Sequence, residues 1–330
     1  MEKTQYYEIK NEKLRVITSN LGGHLISVFV KDENGKEFDY VLGYGDVEDC
    51  FDDGGCIGAI VGRVVNRIKD AEFSLNGKQY QLAKNQGQHS IHGGFEGFDC
   101  KWFELKELKE DSITYHYTSP DMEEGYPGKL DVDVTYRVRG AELEILIDGS
   151  CDQDTIFNPT CHIYFNLSDS GEQIYHHELK IDADEIVTVD ADGIPTGQLM
   201  MVEDTPFDFR DFRKIGKSIH DPVKTLIERK GYDHAFVLNA SAPDAVKVAL
   251  REEKSGRSVA IKTNLPVVQL YTGNYLGGAK GKNGARYEDF TGLALETQFM
   301  TDSIHVEKDP KVILRKGQTY HGETTFIFSS

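Results

Sequence analysis

Leu130-Asp131-Val132-Asp133-Val134-Thr135-Tyr136-Arg137-Val138 alternates without a break, with Leu130, Val132, Val134, Tyr136 and Val138 on one side and Asp131, Asp133, Thr135 and Arg137 on the other. Successive residues of a strand point to opposite faces, so this stretch is a half-buried strand with one face to a core and one to water. Leu143, Ile145 and Ile147 against Glu142 and Glu144 repeat the pattern. So do Val246, Val248 and Leu250, followed by Val259 and Ile261 across a turn at Lys254-Ser255-Gly256. Two Asn-Gly pairs, Asn34-Gly35 and Asn76-Gly77, lie between apolar alternating segments and predict hairpins with type I′ turns. Helical periodicity is confined to Asp46 to Phe51 and to Phe209 to Arg229, where Asp221-Pro222 opens the second part. The strand and helix alternation that a parallel α/β sheet needs is missing. The expectation is an all-β protein, a large antiparallel β-sandwich or closed barrel, because so many twisted strands in one open sheet would curl or leave long bare edges. With no linker, repeat or shift in composition, residues 1–330 are expected to form a single domain.

The chain carries 37 basic and 55 acidic residues, a net charge of −18, which would repel a phosphate backbone or an anionic membrane surface. Neither nucleic acid nor membrane is an expected partner. The five cysteines, Cys50, Cys56, Cys100, Cys151 and Cys161, form no C-x-x-C pair and no disulfide framework, which fits a reducing compartment. The N-terminus lacks an apolar leader and no window approaches the roughly 18 apolar residues of a membrane helix. A cytoplasmic protein is expected.

Several motifs lead nowhere. Gly277-Gly278-Ala279-Lys280-Gly281-Lys282-Asn283 has Leu276 where a phosphate loop needs its first glycine and Asn283 where it needs Ser or Thr, so it reads as a mobile hairpin loop. His89 with His92, and His176 with His177, would point to opposite faces of a strand, so no metal site is expected. No serine sits in a G-x-S-x-G elbow.

Elsewhere, polar and ionisable residues interrupt apolar runs. They do so in Gly62-Arg63-Val64-Val65-Asn66-Arg67-Ile68, His89-Ser90-Ile91-His92-Gly93-Gly94, Asn158 to Leu167, Gly231 to Phe236 and Leu293-Ala294-Leu295-Glu296-Thr297-Gln298. Glu296 stands in what should be a buried strand, where a carboxylate is either half of a structural ion pair or functional. His162, among Phe157, Ile163, Tyr164, Phe165 and Leu167, is either a hydrogen-bonded core histidine or a catalyst. Arg67, Asn66, His92 and Asp233 taken singly could be turn or salt-bridge residues. Together they supply a carboxylate, two histidines, an arginine, an asparagine and a second acid, with many Tyr and Phe to stack on a sugar ring, which is how carbohydrate sites are built.

The same motifs, in order, resemble the aldose 1-epimerase (galactose mutarotase) family from about Gly22 to the last strand. The resemblance rests on Gly62 to Ile68, Ser90-Ile91-His92-Gly93-Gly94 with Gly97-Phe98-Asp99 and Trp102, and Asn158-Pro159-Thr160 with His162 and Tyr164-Phe165-Asn166-Leu167. Tyr232 to Phe236, Gln269 to Asn274 and Leu295-Glu296-Thr297-Gln298 complete it. It implies a mutarotase-like supersandwich with an open cleft for one sugar and no cofactor. Position by position it implies Glu296 as base and His162 as acid. It further implies His92 as the second active-site histidine, the polar pair Asn66 and Arg67, and Asp233 and Gln269 as binders of sugar hydroxyls. Tyr164 and Gln298 lie near by sequence proximity. Cys161, where the family usually has Asn, and Thr301-Asp302-Ser303, where it usually has a Pro-Asp-Ala-type turn, depart from the pattern and bear on sugar preference if they flank the cleft.

Interconverting anomers requires one group to take the proton of the C1 hydroxyl and another to protonate the ring oxygen. A carboxylate of pKa ~4.3 and an imidazole near ~6.5, raised by a neighbouring carboxylate, would serve at neutral pH. Arg67 and His92 would hold the ring oxygen or adjacent hydroxyls. The expected partner is a small-molecule sugar, with the protein a monomer or homodimer. Two other readings stand beside this one: a glycoside hydrolase using Asp233 and Glu296, which needs its carboxylates ~5–9.5 Å apart, and a non-catalytic sugar-binding protein on the same fold.

Overall fold

The structure, a computed structural model, describes residues 3–53, 56–169, 171–242 and 244–330. Leu130–Arg139 and Glu142–Cys151 pair antiparallel in the register the alternation requires, Val134 opposite Ile147 and Tyr136 opposite Ile145. They are the third and fourth strands of a nine-stranded antiparallel sheet, in the order Glu104–Leu108, Ser112–Ser119, Leu130–Arg139, Glu142–Cys151, Thr319–Ser329, Ser258–Thr263, Val248–Arg251, Glu178–Ile181, Arg213–Lys214. A six-stranded antiparallel sheet faces it, in the order Tyr164–Phe165, Leu293–Gln298, Val267–Tyr271, Asp233–Val237, Glu185–Val189, Pro195–Met201. Leu130, Val132, Val134, Tyr136 and Val138 of the first sheet join Phe165, Ile186, Phe236, Val268, Leu270, Leu293 and Leu295 of the second in one apolar core. Each such side chain contributes about 1.5–3 kcal/mol by leaving water, and together they hold the sheets face to face as a sandwich.

A four-stranded N-terminal sheet, Tyr6–Lys10, Leu14–Ser19, Leu25–Lys31 and Glu37–Asp39, adds Ile9, Leu14, Val16 and Val28 to the same core. Short pairs complete the molecule, among them Arg67–Ile68 with Ser90–Ile91 and Thr160–Cys161 with Ile60–Val61.

Local expectations fare unevenly. Asn76 (φ 51°) and Gly77 (φ 76°) make the type I′ turn between Leu75 and Lys78. The other hairpin forms between Leu25–Lys31 and Glu37–Asp39, but only Gly35 of its Asn-Gly pair is left-handed (φ 81°). The Asp32 carboxylate takes the N–H groups of Asn34 and Lys36 there, which widens the loop beyond two residues. Val248–Arg251 pairs with Ser258–Thr263 as anticipated, whereas Val246 lies outside the strand and is exposed. The helical turn near Asp46 is present as Val47–Asp49 and Cys50–Asp53, capped by the Asp46 side chain on Glu48 N–H. The longer helical expectation contracts to Lys224–Arg229, because Arg213–Lys214 is recruited to the edge of the nine-stranded sheet. In the Gly277 to Asn283 loop, Lys282 Nζ is held by Asp39 Oδ2 at 2.7 Å and Val41 O at 2.9 Å.

No helix among the described residues is long and apolar enough to cross a membrane.

Candidate active site

Register on the six-stranded sheet assembles the floor of a cleft. Gln269 is directly opposite Glu296 on one side and Ala235 on the other, and Tyr271 is opposite Asp233 and Ala294. Opposed residues share a face and alternate residues return to it, so Glu296, Gln269, Tyr271 and Asp233 all point away from the core that Leu295, Leu270 and Phe236 fill. Tyr164, opposite Ala294, joins the same face, and His162 precedes it by two residues. His162 is fixed by its own N–H on Ala59 O and its carbonyl on Gly58 N–H, both 2.8 Å. From the N-terminal part, the Arg67–Ile68 and Ser90–Ile91 pair brings Asn66, Arg67 and His92 to the opposite wall. The open cleft has a volume of roughly 550 Å3.

All seven residues singled out by sequence for catalysis and sugar binding line this one cleft. His162 Nε2 lies 3.5 Å from Glu296 Oε1. Asp233 accepts from Gln269 Nε2 at 2.6 Å and faces Arg67 Nη1 at 4.0 Å. Arg67 Nη1 and backbone N both donate to Asn66 Oδ1. The Asn66 N–H donates to His92 Nδ1 at 3.3 Å, and since a backbone N–H can only donate, the neutral His92 ring carries its proton on Nε2. Arg67 Nε, His162 Nδ1 and Glu296 Oε2 are buried with no hydrogen-bond partner among the described residues. Native proteins seldom leave such atoms bare except at sites of chemistry or binding.

Burial sets the electrostatics. Glu296 and His162 are 3% and 4% exposed. Loss of water pushes the Glu296 carboxyl up from 4.5 to about 8, with Asp233 adding to the rise and Arg67 opposing it. The same loss of water brings His162 down from 6.5 to about 4. The sequence expectation of an ionised carboxylate beside an imidazole of raised pKa is therefore corrected: desolvation outweighs the pair's mutual attraction, and both groups are driven toward their neutral forms. His92 is lowered well below its ordinary value as well, by burial first, with His162 and the Arg67 guanidinium adding to the fall.

Other expectations need correction. Cys161 does not flank the cleft; it alternates away from His162 into the core, near Tyr136 Oη and Gly58 O. Thr301-Asp302-Ser303 also lies behind the site, where Thr301 Oγ1 accepts from Gln298 Nε2 and Asp302 Oδ1 takes the Lys69 N–H. Of the two residues expected only near the site, Gln298 is fully buried behind the lining, whereas Tyr164 lines the cleft itself, tilted against His162 at 4.8 Å between ring centres. The aromatic residues of the lining are Tyr164, Tyr271 and Tyr275, with no Phe among them. Sequence reading did not pick out Tyr271, Tyr275, Arg229, Cys56, Asn85 or Gln86, which also line it. Only Tyr271 had a local signal, the alternate position after Gln269. Asn158 ties the strand of Glu296 to the segment of Asn66: its side chain accepts from Phe299 N and donates to Phe299 O, and its carbonyl takes the Val65 N–H. His177 is structural, its Nε2 accepting the Leu167 N–H. No cluster of His, Cys, Asp and Glu suited to a metal occurs among the described residues.

A buried carboxyl and imidazole 3.5 Å apart, surrounded by hydrogen-bonding forks and tyrosine rings on one face of a β-sandwich, make a cleft suited to a sugar ring and to proton transfer. Comparison makes the class specific. The family model for aldose 1-epimerase matches residues 5–326. Galactose mutarotase from Mus musculus is 40% identical over 325 residues, covering 98% of this chain and 93% of that protein. Aldose 1-epimerase from Escherichia coli is 33% identical over 327 residues, covering 97% and 94%. The crystal structure of an aldose epimerase homologue from C. elegans superposes with a TM-score of 0.92 at 33% identity, covering 99% of both chains. The chain belongs to the aldose 1-epimerase family, and its all-β sandwich is the fold of that family. These matches lend nothing to the glycosidase and sugar-binding alternatives.

Proposed function

We propose that the protein interconverts the α and β anomers of a free aldose of the galactose or glucose type, with Glu296 and His162 as the proton-transferring pair. The observation that carries the assignment of residues is the 3.5 Å contact of a carboxyl and an imidazole, both buried, on the floor of the cleft. In the form in which the pair's single proton rests on His162, the Glu296 carboxylate takes the proton of the C1 hydroxyl while the imidazolium protonates the ring oxygen. The C1–O5 bond breaks as C1=O1 forms, rotation about C1–C2 presents the other face, and the proton movements reverse on closure. Arg67 and His92, the latter through its Nε2–H, stabilise the charge that develops on the oxygens. Asn66, Asp233 and Gln269 fix the hydroxyls. The test is polarimetry of freshly dissolved α-D-galactose and α-D-glucose; failure of the protein to hasten mutarotation of any aldose would overturn the proposal.

The pair's titration predicts the pH profile. Between about 4 and about 8 the two groups together hold one proton, whichever of them bears it. One proton on two groups is what the reaction needs, an acid and a base at once. Below about 4 both are protonated and the base is lost; above about 8 both are deprotonated and the acid is lost. The expected kcat/KM is flat between these limits and falls about tenfold per unit beyond each. A single sigmoidal rise through pH 6.5 would contradict it.

The chain is read as one domain, since the cleft draws on Asn66 near one end and Glu296 near the other. We read the protein as cytoplasmic, in keeping with five cysteines none of which is in a disulfide, and as a monomer or homodimer.

A further inference from the structure

His92 sits on an unusual piece of backbone. His92 (φ 53°), Gly93 (φ 95°) and Gly94 (φ 122°) are three consecutive residues on the left-handed side, where a residue with a β-carbon is strained. Gly93 has no alternative, since a β-carbon there would stand 1.8 Å from Gly62 O. A strained conformation persists only where its surroundings over-determine it. The side chain of Asn85 does so from inside the cleft wall. Its Nδ2 donates to Ile91 O at 2.9 Å and to Gly94 O at 2.7 Å, and its Oδ1 accepts the Ile91 N–H at 2.8 Å. All three bonds are to backbone groups that bracket His92, and they use both donors and the acceptor of the amide. On the far side the Glu124 carboxylate accepts the N–H groups of Phe95 and Glu96.

We infer that Asn85 is a positioning residue for the reaction: its amide clamps Ile91 to Gly94 and so aims His92 Nε2–H into the cleft. The inference rests on the reading that His92 acts on the sugar. A displacement of about 1 Å in such a group is enough to lower a rate by on the order of 100-fold, and among the described residues no other side-chain amide spans the two ends of this turn.

The test is a double-mutant cycle on the full chain, read as kcat/KM for mutarotation of α-D-galactose. Asn85→Ala is expected to lower it by about 10- to 100-fold. In a His92→Ala background the same change is expected to alter it by less than about twofold, because its effect passes through the missing ring. An equal loss in both backgrounds would mean that Asn85 acts only as general scaffolding and would overturn the inference. So would full activity of Asn85→Ala beside an impaired His92→Ala. Full activity of His92→Ala would instead overturn the reading of His92 itself, and the inference with it. Asn85→Asp keeps the acceptor for the Ile91 N–H and sets a carboxylate oxygen against the two carbonyls, so it breaks both donations within a side chain of the same size and carries the same cycle if the alanine variant fails to fold.

Discussion

Glu296→Gln is expected to lower kcat for mutarotation by about 10²- to 10⁴-fold while leaving the protein at least as stable as the wild type at pH 7. The two halves of that expectation separate function from architecture. Glutamine keeps the volume and polarity of the side chain but cannot accept the C1 hydroxyl proton. Were Glu296 half of a structural ion pair, deleting one partner would strand the other and cost about 3–5 kcal/mol. Burial instead favours the protonated carboxyl in the resting protein, its pKa raised from 4.5 to about 8, and Glu296 accepts from the sugar once that proton has moved to His162, 3.5 Å away. Between those pKa values the folded protein keeps a proton that the unfolded chain has released, so the unfolded state binds fewer protons and stability falls as pH rises through the window. Glutamine carries no such proton. The variant should therefore gain on the wild type progressively from about pH 4.5 to pH 8, and urea unfolding at the two ends measures the gain. Full activity, or a loss of several kcal/mol with no trend in pH, would reject the assignment.

How much of this was legible in the sequence depends on what each feature asks of its neighbours. Strands that face a core on one side and water on the other write that fact into their own alternation, so Leu130–Arg139 and Glu142–Cys151 could be read directly. Glu296 was legible because a carboxylate in an apolar run contradicts its surroundings. Tyr275 and Arg229 were not, because lining a cleft leaves no local mark when the cleft is formed by segments far apart in the chain. Adjacency in sequence misled for the same reason that alternation helped: Cys161 is next to His162 and faces the other way. The protonation of the pair was illegible in principle. Residue type supplies the ordinary pKa, whereas burial, which decides its direction here, exists only once the sheets are packed.

The other large expected effect lies in a residue of the Gly62 to Ile68 motif that sits outside the cleft. Arg63, four residues before Arg67, is 2% exposed and does not line the cleft. Its guanidinium spreads over the segment from Ser119 to Pro127. Nε donates to Ser119 Oγ at 2.8 Å, Nη1 to Pro127 O at 2.9 Å, and Nη2 to Ser119 O at 3.0 Å and Pro120 O at 2.8 Å. Burial lowers its pKa to about 10, with Glu123 opposing the fall, so it stays charged at neutral pH. Arg63→Ala would strip the buried carbonyls of Ser119 and Pro127 of its donation, leave Pro120 O with only the Glu123 N–H, and open a void, and a loss of about 3–5 kcal/mol is expected. Thermal unfolding should come roughly 4–7 °C earlier. Lysine should not rescue it, because one ammonium cannot reach carbonyls arranged for a planar fork. The segment that Arg63 anchors also carries Glu124, whose carboxylate holds the N–H groups of Phe95 and Glu96 just beyond His92. The folded fraction of Arg63→Ala should therefore also turn over more slowly, although no atom of Arg63 meets the sugar. Melting within a degree or two of the wild type would show that the segment is held by its other contacts, and the coupling to His92 would fall with it.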